Sequence, residues 1–163
     1  MIYRSPCGDD AAEMIRYLKS VGSESDNLTF GAEGLPVTEE QERKFLSSIG
    51  PNVYVVIVVD DDGRITGDAS LERGPRRLHH AAELGISTLK EYWGRGIGSR
   101  LMEEMIAYAK ENGITKINLR VRADNERAKA LYRKFGFEKE GDDRRMMEIG
   151  GEYFDGEHWG LVL

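Results

Sequence analysis

The sequence predicts an α/β fold whose elements run β-α-α-β-β-β-α-β-α-β-β. Three observations carry this. Segments with apolar residues at every second position interleave with segments whose apolar residues recur at helical spacing. The 163 residues, 40% hydrophobic and 32% charged, fit one domain spanning 1–163 around one core. A glycine-rich turn, Trp93-Gly94-Arg95-Gly96-Ile97-Gly98, joins a strand pattern to a long amphipathic pattern.

In chain order, Ile2 to Arg4 reads as a short strand. Gly8 to Ser20 places Ala12, Met14, Ile15 and Leu18 at helical spacing, with Asp9 or Asp10 as cap. Val21 to Val37 has no period and carries Gly22, Gly31, Gly34 and Pro36, so it reads as a long loop of the kind that is functional or mobile. Thr38-Glu39-Glu40-Gln41 is a capping box and opens a helix ending near Ser48. The β-branched run Val53 to Val59 is a buried strand. Asp60-Asp61-Asp62-Gly63 is a hairpin turn rather than a calcium loop, because an EF-hand would need an acid where Val58 stands.

Arg64 to Arg73 alternates as a strand, and Leu78 to Ser87 is the strand that feeds the glycine turn. His79 and His80 at its start would point to opposite faces, so no metal site is expected there. From Ile97, the residues Leu101, Met102, Met105, Ile106 and Ala109 form one helical stripe that Asn112-Gly113 ends. Lys116 to Arg122 turns Ile117, Leu119 and Val121 inward. Asp124-Asn125 caps a short helix carrying Ala128, Leu131, Tyr132 and Phe135. Phe137 to Ile149 and Glu152 to Leu163 are strands joined by Gly150-Gly151.

Composition excludes several function classes. Cys7 is the only cysteine, which rules out an internal disulfide framework and a cysteine-rich zinc site. The longest aliphatic run, Val53 to Val59, falls far short of the roughly 20 residues that span a bilayer, so no membrane partner is expected and a cytoplasmic location is. A net charge of −6 argues against nucleic acid as a partner.

The glycine turn is the most informative stretch. Glycines let the backbone approach an anion, and the first amides of a helix have no internal partners. The residues from Gly94 to Ser99 therefore read as a phosphate cradle. Neither a Walker loop nor a dinucleotide fingerprint matches: Ser99-Arg100 follow Gly98, and the third glycine of a fingerprint is missing.

The turn instead resembles motif A of the GCN5-related N-acetyltransferases, Gln/Arg-x-x-Gly-x-Gly/Ala, with Trp93 in place of the usual Gln or Arg. Asn125 to Phe137 (Asn-x-x-Ala-x-x-Leu-Tyr-x-Lys-x-Gly-Phe) resembles motif B of the same family at every fixed position. Two motifs in the right order, one helix and one strand apart, are far more specific than either alone. The ending Gly151 to Gly156 is similar, weakly, to the bacterial branch that acetylates amino acids and protein N-termini.

The resemblance implies a mixed, mostly antiparallel sheet of about seven strands with about four helices, splayed between the fourth and fifth strands. It implies acetyl-CoA as cosubstrate and no metal. Amides of Ile86, Ser87 and Thr88 would meet pantetheine. Trp93, Gly94, Arg95, Gly96, Ile97, Gly98 and Ser99 would meet the pyrophosphate, and Asn125, Ala128, Tyr132 and Lys134 complete the cofactor side. Asn125 is equally readable as a helix cap. Tyr132 is the acid candidate for the departing thiolate. Glu83 is the base candidate; a solvent-facing or ion-paired glutamate, with a water chain as base, remains the alternative reading.

The implied reaction is direct attack of a primary amine on the acetyl thioester. A module that binds acetyl-CoA without catalysis is the alternative. The acceptor, a small molecule or a peptide, would be selected by Val21 to Val37 and Glu148 to His158, with Phe30, Glu83 and Tyr153 as its candidate contacts. Amino acids, antibiotics, polyamines and protein amines all stay open, and a homodimer is common in the family.

Overall fold

The computed structural model describes residues 1–163. Its elements are β1 (Ile2–Arg4), α1 (Ala11–Glu24), α2 (Glu39–Ser47), β2 (Val53–Val59), β3 (Ile65–Arg73), β4 (Ala81–Thr88), α3 (Ile97–Glu111), β5 (Lys116–Arg122), α4 (Glu126–Lys134), β6 (Glu138–Ile149) and β7 (Glu152–Val162). Seven strands form one sheet in the order β1-β2-β3-β4-β5-β7-β6. Every neighbouring pair is antiparallel except β4 and β5.

The β4–β5 pair positions the site. It is registered only at Ala81↔Lys116, Ala82↔Ile117 and Glu83↔Asn118. Beyond Glu83, β4 continues to pair with β3 as far as Gly67↔Thr88, and β5 with β7 as far as Arg122↔Gly156. The two strands therefore part from Leu84 onward, and the facing edge of β4 loses its ladder partners. The splay expected between the fourth and fifth strands is present.

Helices cover both faces. The stripe of α3 buries Leu101, Met102, Met105 and Ala109 completely, and α1 buries Ala11, Met14 and Tyr17. Together with Ile57, Val58, Ala69 and Leu71 of the central strands they form one core. The capping box of α2 is made as expected: Gln41 N donates to Thr38 Oγ1 at 3.2 Å and Thr38 N to Gln41 Oε1 at 2.8 Å. The Asp60–Gly63 segment is a turn that Asp60 Oδ1 closes by accepting from Asp62 N and Arg64 N.

Two boundaries differ from the sequence reading. The first helix begins as a 3-10 turn at Gly8–Asp10 and continues to Glu24, four residues past Ser20. Gly22 does not break it. A Cβ there would lie 2.1 Å from Gly31 O, so Gly22 lets the following loop lie against the helix. The feeding strand starts at Ala81 rather than Leu78, because Arg76–Leu78 is a 3-10 turn. His79 and His80 consequently precede the strand and are exposed.

Strand β6 is less regular than its sequence pattern. Its register with β7 shifts between Asp143 and Met147, where Arg145 adopts φ 55° and its amide donates to Asp155 Oδ1 at 2.9 Å. Such a bulge re-aims side chains. Met146 packs so tightly over Gly156 that a Cβ there would meet its sulfur at 2.1 Å.

Candidate active site

The glycine turn has the backbone that an anion cradle needs. Gly94 has φ 76° and Gly96 φ 80°, a region that residues with a Cβ rarely occupy. Gly96 stands at the N-terminus of α3, where no side chain caps the first amides. A Cβ at Gly94 or Gly96 would meet nothing within 4 Å, so the space above both is open. The loop is held from below: Tyr92 donates to Asp60 Oδ2 at 2.8 Å, and the Arg95 guanidinium lies 4.9 Å from the centre of the Tyr92 ring.

This cradle opens into a cavity of about 810 Å³ that follows the splay between β4 and β5. Among the residues expected at the site, Glu83, Ile86, Ser87, Thr88, Trp93, Gly94, Gly96, Ile97, Gly98, Ser99, Asn125, Ala128, Tyr132 and Phe30 line it. Three do not. Arg95 is turned onto Tyr92; Lys134 donates to Ser99 Oγ at 2.9 Å from outside the wall; Tyr153 is 54% exposed beneath the Arg145 guanidinium.

Tyr132 sits on α4, which Lys129 ties to the sheet. The Lys129 ammonium donates to Ala123 O at 2.6 Å and pairs with Glu126 at 2.7 Å and Glu157 at 3.5 Å. Trp159 Nε1 donates to the same Glu157 carboxylate at 2.8 Å. The Tyr132 ring is buried against Phe137, and burial pushes the phenol up to about 12. No group of the chain bonds its hydroxyl, and no sealed polar atom lacks a partner, so that oxygen reaches the cavity. Asn125 caps α4 by accepting from Ala128 N at 3.2 Å, which settles its cap role; it also lines the cavity.

Several wall residues had no sequence signal. Asp68 lines the cavity, and Tyr17, fully buried behind the wall, meets it together with Ser87: Ser87 Oγ donates to Asp68 Oδ1 at 2.5 Å, and the Tyr17 hydroxyl lies 2.7 Å from Ser87 Oγ and 3.1 Å from the same Asp68 oxygen. Burial raises the Asp68 carboxyl above the usual range, against the two hydroxyls that lower it. Met146 and Met147 reach the wall through the β6 bulge, and Leu28 and Leu35 through the α1–α2 loop. A second cavity of about 480 Å³ continues beneath that loop, with Asp26, Glu33 and Glu148 on its wall. No group of three or more His, Cys, Asp or Glu side chains is placed to hold a metal ion. No helix is long and apolar enough to cross a membrane.

An open glycine turn at a helix start, a strand edge without partners and a buried phenol thus share one cavity on a splayed sheet. Residues 23–137 match the model of the acetyltransferase (GNAT) family, and the chain belongs to that family. A GNAT-family acetyltransferase structure from Streptococcus pneumoniae superposes with a TM-score of 0.93 at 30% identity, covering 99% of each chain. The phosphinothricin acetyltransferase from Sinorhizobium meliloti, solved in complex with acetyl-CoA, shares the fold: TM-score 0.83, 21% identity, 99% of this chain and 88% of that one.

Among curated relatives, L-amino acid N-acetyltransferase AaaT of Escherichia coli is 37% identical over 98 residues. N-alpha-acetyltransferase RimI of Mycobacterium tuberculosis is 38% identical over 85 residues. The matched segments span 58% and 52% of this chain, and 59% and 51% of those proteins.

Proposed function

We propose that this chain transfers the acetyl group of acetyl-CoA to a primary amine. One observation carries the reading: the open glycine cradle, the unpaired edge of β4 and the Tyr132 hydroxyl share a single cavity. Amides from Gly94 to Ser99 would take the pyrophosphate, at the positive end of the α3 dipole. Amides of Ile86 to Thr88 would take pantetheine, because a backbone group left without its ladder partner is well served by a ligand. The glycine φ values and the open space above them fit such a ligand.

Acetyl-CoA supplies an activated acetyl thioester; the chain's own residues do the rest. A β4 amide polarises the carbonyl. Tyr132, protonated across the neutral range, donates to the leaving sulfur. Trp93 stands where the family loop carries Gln or Arg and contributes an indole surface instead. Phe30 and Glu83 belong to the acceptor half of the cavity, and the acidic wall of the adjoining cavity favours a cationic amine. The relatives named for L-amino acids and for N-alpha amines support small amines and peptide N-termini as the classes to test first. The lone cysteine, Cys7, suits a reducing cytoplasm.

The test is thiol release from acetyl-CoA across a panel of amines, with products identified by mass spectrometry. Acetylated product supports the reading. Tight coenzyme A binding with no product from any amine would instead assign the chain as an acetyl-CoA-binding module.

A further inference from the structure

Asp68, on the wall of the cavity, is held by hydroxyls and not by a cation. Both of its hydrogen bonds reach the same oxygen, Oδ1: 2.5 Å from Ser87 Oγ and 3.1 Å from the Tyr17 hydroxyl. Oδ2 takes no bond from the chain. Since no sealed side-chain oxygen or nitrogen lacks a partner, Oδ2 is open to the cavity that Asp68 lines. The arginines of that wall are engaged elsewhere, Arg120 with Asp143 at 3.7 Å and Arg127 over the Trp93 ring.

Position adds to this. Asp68 pairs with Ser87 across β3 and β4, in the stretch where β4 has left β5. Glu83 lies four residues back along β4, about 13 Å at a strand's rise, where β5 is still paired. Asp68 therefore lies one strand in from the opened edge, level with the free stretch of β4, whereas Glu83 is the last β4 residue still registered with β5.

We propose that Asp68 Oδ2 takes the proton from the acceptor's ammonium, with Tyr17 and Ser87 as positioning residues that fix the carboxylate through Oδ1. This rests on the transferase reading above. The N–H bond of the ammonium breaks and its proton passes to Oδ2. The freed lone pair forms the C–N bond to the thioester carbon, and the C–S bond breaks. Tyr132 gives its proton to sulfur and is refilled by the second proton of the nitrogen. Asp68 returns its proton to cavity water, so ammonium and thioester yield amide, thiol and one proton. A carboxyl raised by burial is the better matched to this task.

The experiment compares Asp68→Asn, Tyr17→Phe and Glu83→Gln in the full chain, using the acceptor that the amine panel identifies and a hydrazide, whose amine is neutral near pH 7. Asp68→Asn is expected to lower kcat by about 10²–10⁴-fold, with acetyl-CoA affinity and melting temperature retained. The deficit is expected to shrink with the hydrazide, which needs no deprotonation; a purely structural loss would affect both acceptors alike. Tyr17→Phe should lose less, because Ser87 still holds Oδ1, and Glu83→Gln should alter KM more than kcat.

A kcat within about threefold of wild type in Asp68→Asn, or a larger kcat loss in Glu83→Gln, overturns the assignment while leaving the transferase reading intact. An equal deficit for both acceptors does the same. If Asp68→Asn fails to fold, Tyr17→Phe carries the same comparison of acceptors. If wild-type protein acetylates no amine at all, the transferase reading falls and the role of Asp68 falls with it.

Discussion

Arg127 lays its guanidinium 4.2 Å from the centre of the Trp93 indole, while Trp93 Nε1 donates to Thr88 O at 2.9 Å. One side chain thus joins α4, the glycine turn and the end of β4, the three parts that frame the cavity. A cation–π contact of this kind contributes about 0.5–1 kcal/mol and the hydrogen bond about 1 kcal/mol. Trp93→Ala removes both and is expected to weaken coenzyme A binding by about tenfold by calorimetry. Trp93→Phe keeps the stack and should recover part of the loss. Unchanged affinity in Trp93→Ala would show that the indole does not shape the cofactor half.

Gly96 and Gly63 provide a matched pair. Both have φ 80°, and at both a Cβ would meet nothing within 4 Å. Ala at either position therefore carries the same left-handed strain, about 1–2 kcal/mol. Only Gly96 faces the cavity. Gly96→Val is expected to abolish coenzyme A binding in a folded protein, whereas Gly63→Val, at the same φ, lowers the melting temperature and leaves binding alone. Equal affinities in the two variants would remove the cradle from the site.

Tyr132→Phe is expected to lower kcat by one or more orders of magnitude with little change in coenzyme A affinity. Burial pushes this phenol from 10.0 up to about 12, so it stays protonated at every pH where the protein is ordinarily assayed. Its ionisation therefore places no alkaline limb on kcat below about pH 11. The sign for stability follows from the same shift. The folded value exceeds the unfolded one, so the contribution is complete below pH 10 and is lost as pH rises from 10 towards 12, to the extent of roughly 3 kcal/mol. Alkaline melts of wild type and Tyr132→Phe should diverge in that window and in no lower one.

Phe30→Ala tests the acceptor half. Phe30 lines both cavities from the α1–α2 loop. The substitution is expected to raise KM for the amine several-fold or change the preferred amine, with acetyl-CoA affinity preserved. Steady-state kinetics with each substrate varied in turn would reverse this assignment if the cofactor constant moved and the acceptor constant did not.

The elements were legible because their signals are local. Alternation marks β5 as Lys116–Arg122, and the stripe from Ile97 to Ala109 marks α3. The glycine turn was legible for the same reason, since alternating glycines declare a backbone need within a few residues. The Asp68–Ser87–Tyr17 cluster was not. It joins residues 19 and 51 positions from Asp68 through strand register and a helix face, and no spacing in the sequence encodes that meeting. Arg127 over Trp93 was hidden likewise. Helix α1 was read short because Gly22 suggests a break, when its missing side chain serves the packing of Gly31. Tyr153 was placed at the acceptor by its motif neighbourhood, but the bulge at Arg145 brings Met146 and Met147 to the wall in its stead.

That bulge also bears on what the molecule does at high concentration. Strand β6 is one outer strand of the sheet and β1 the other. An uninterrupted outer strand of twelve residues would offer a long row of free amides and carbonyls to another polypeptide. Here the positive φ of Arg145 and the paired register shifts divide β6 into short runs, and β1 offers only three residues. Neither margin can template a long intermolecular ladder, so the distortion that furnishes the cavity with two methionines also guards the protein against edge-to-edge aggregation.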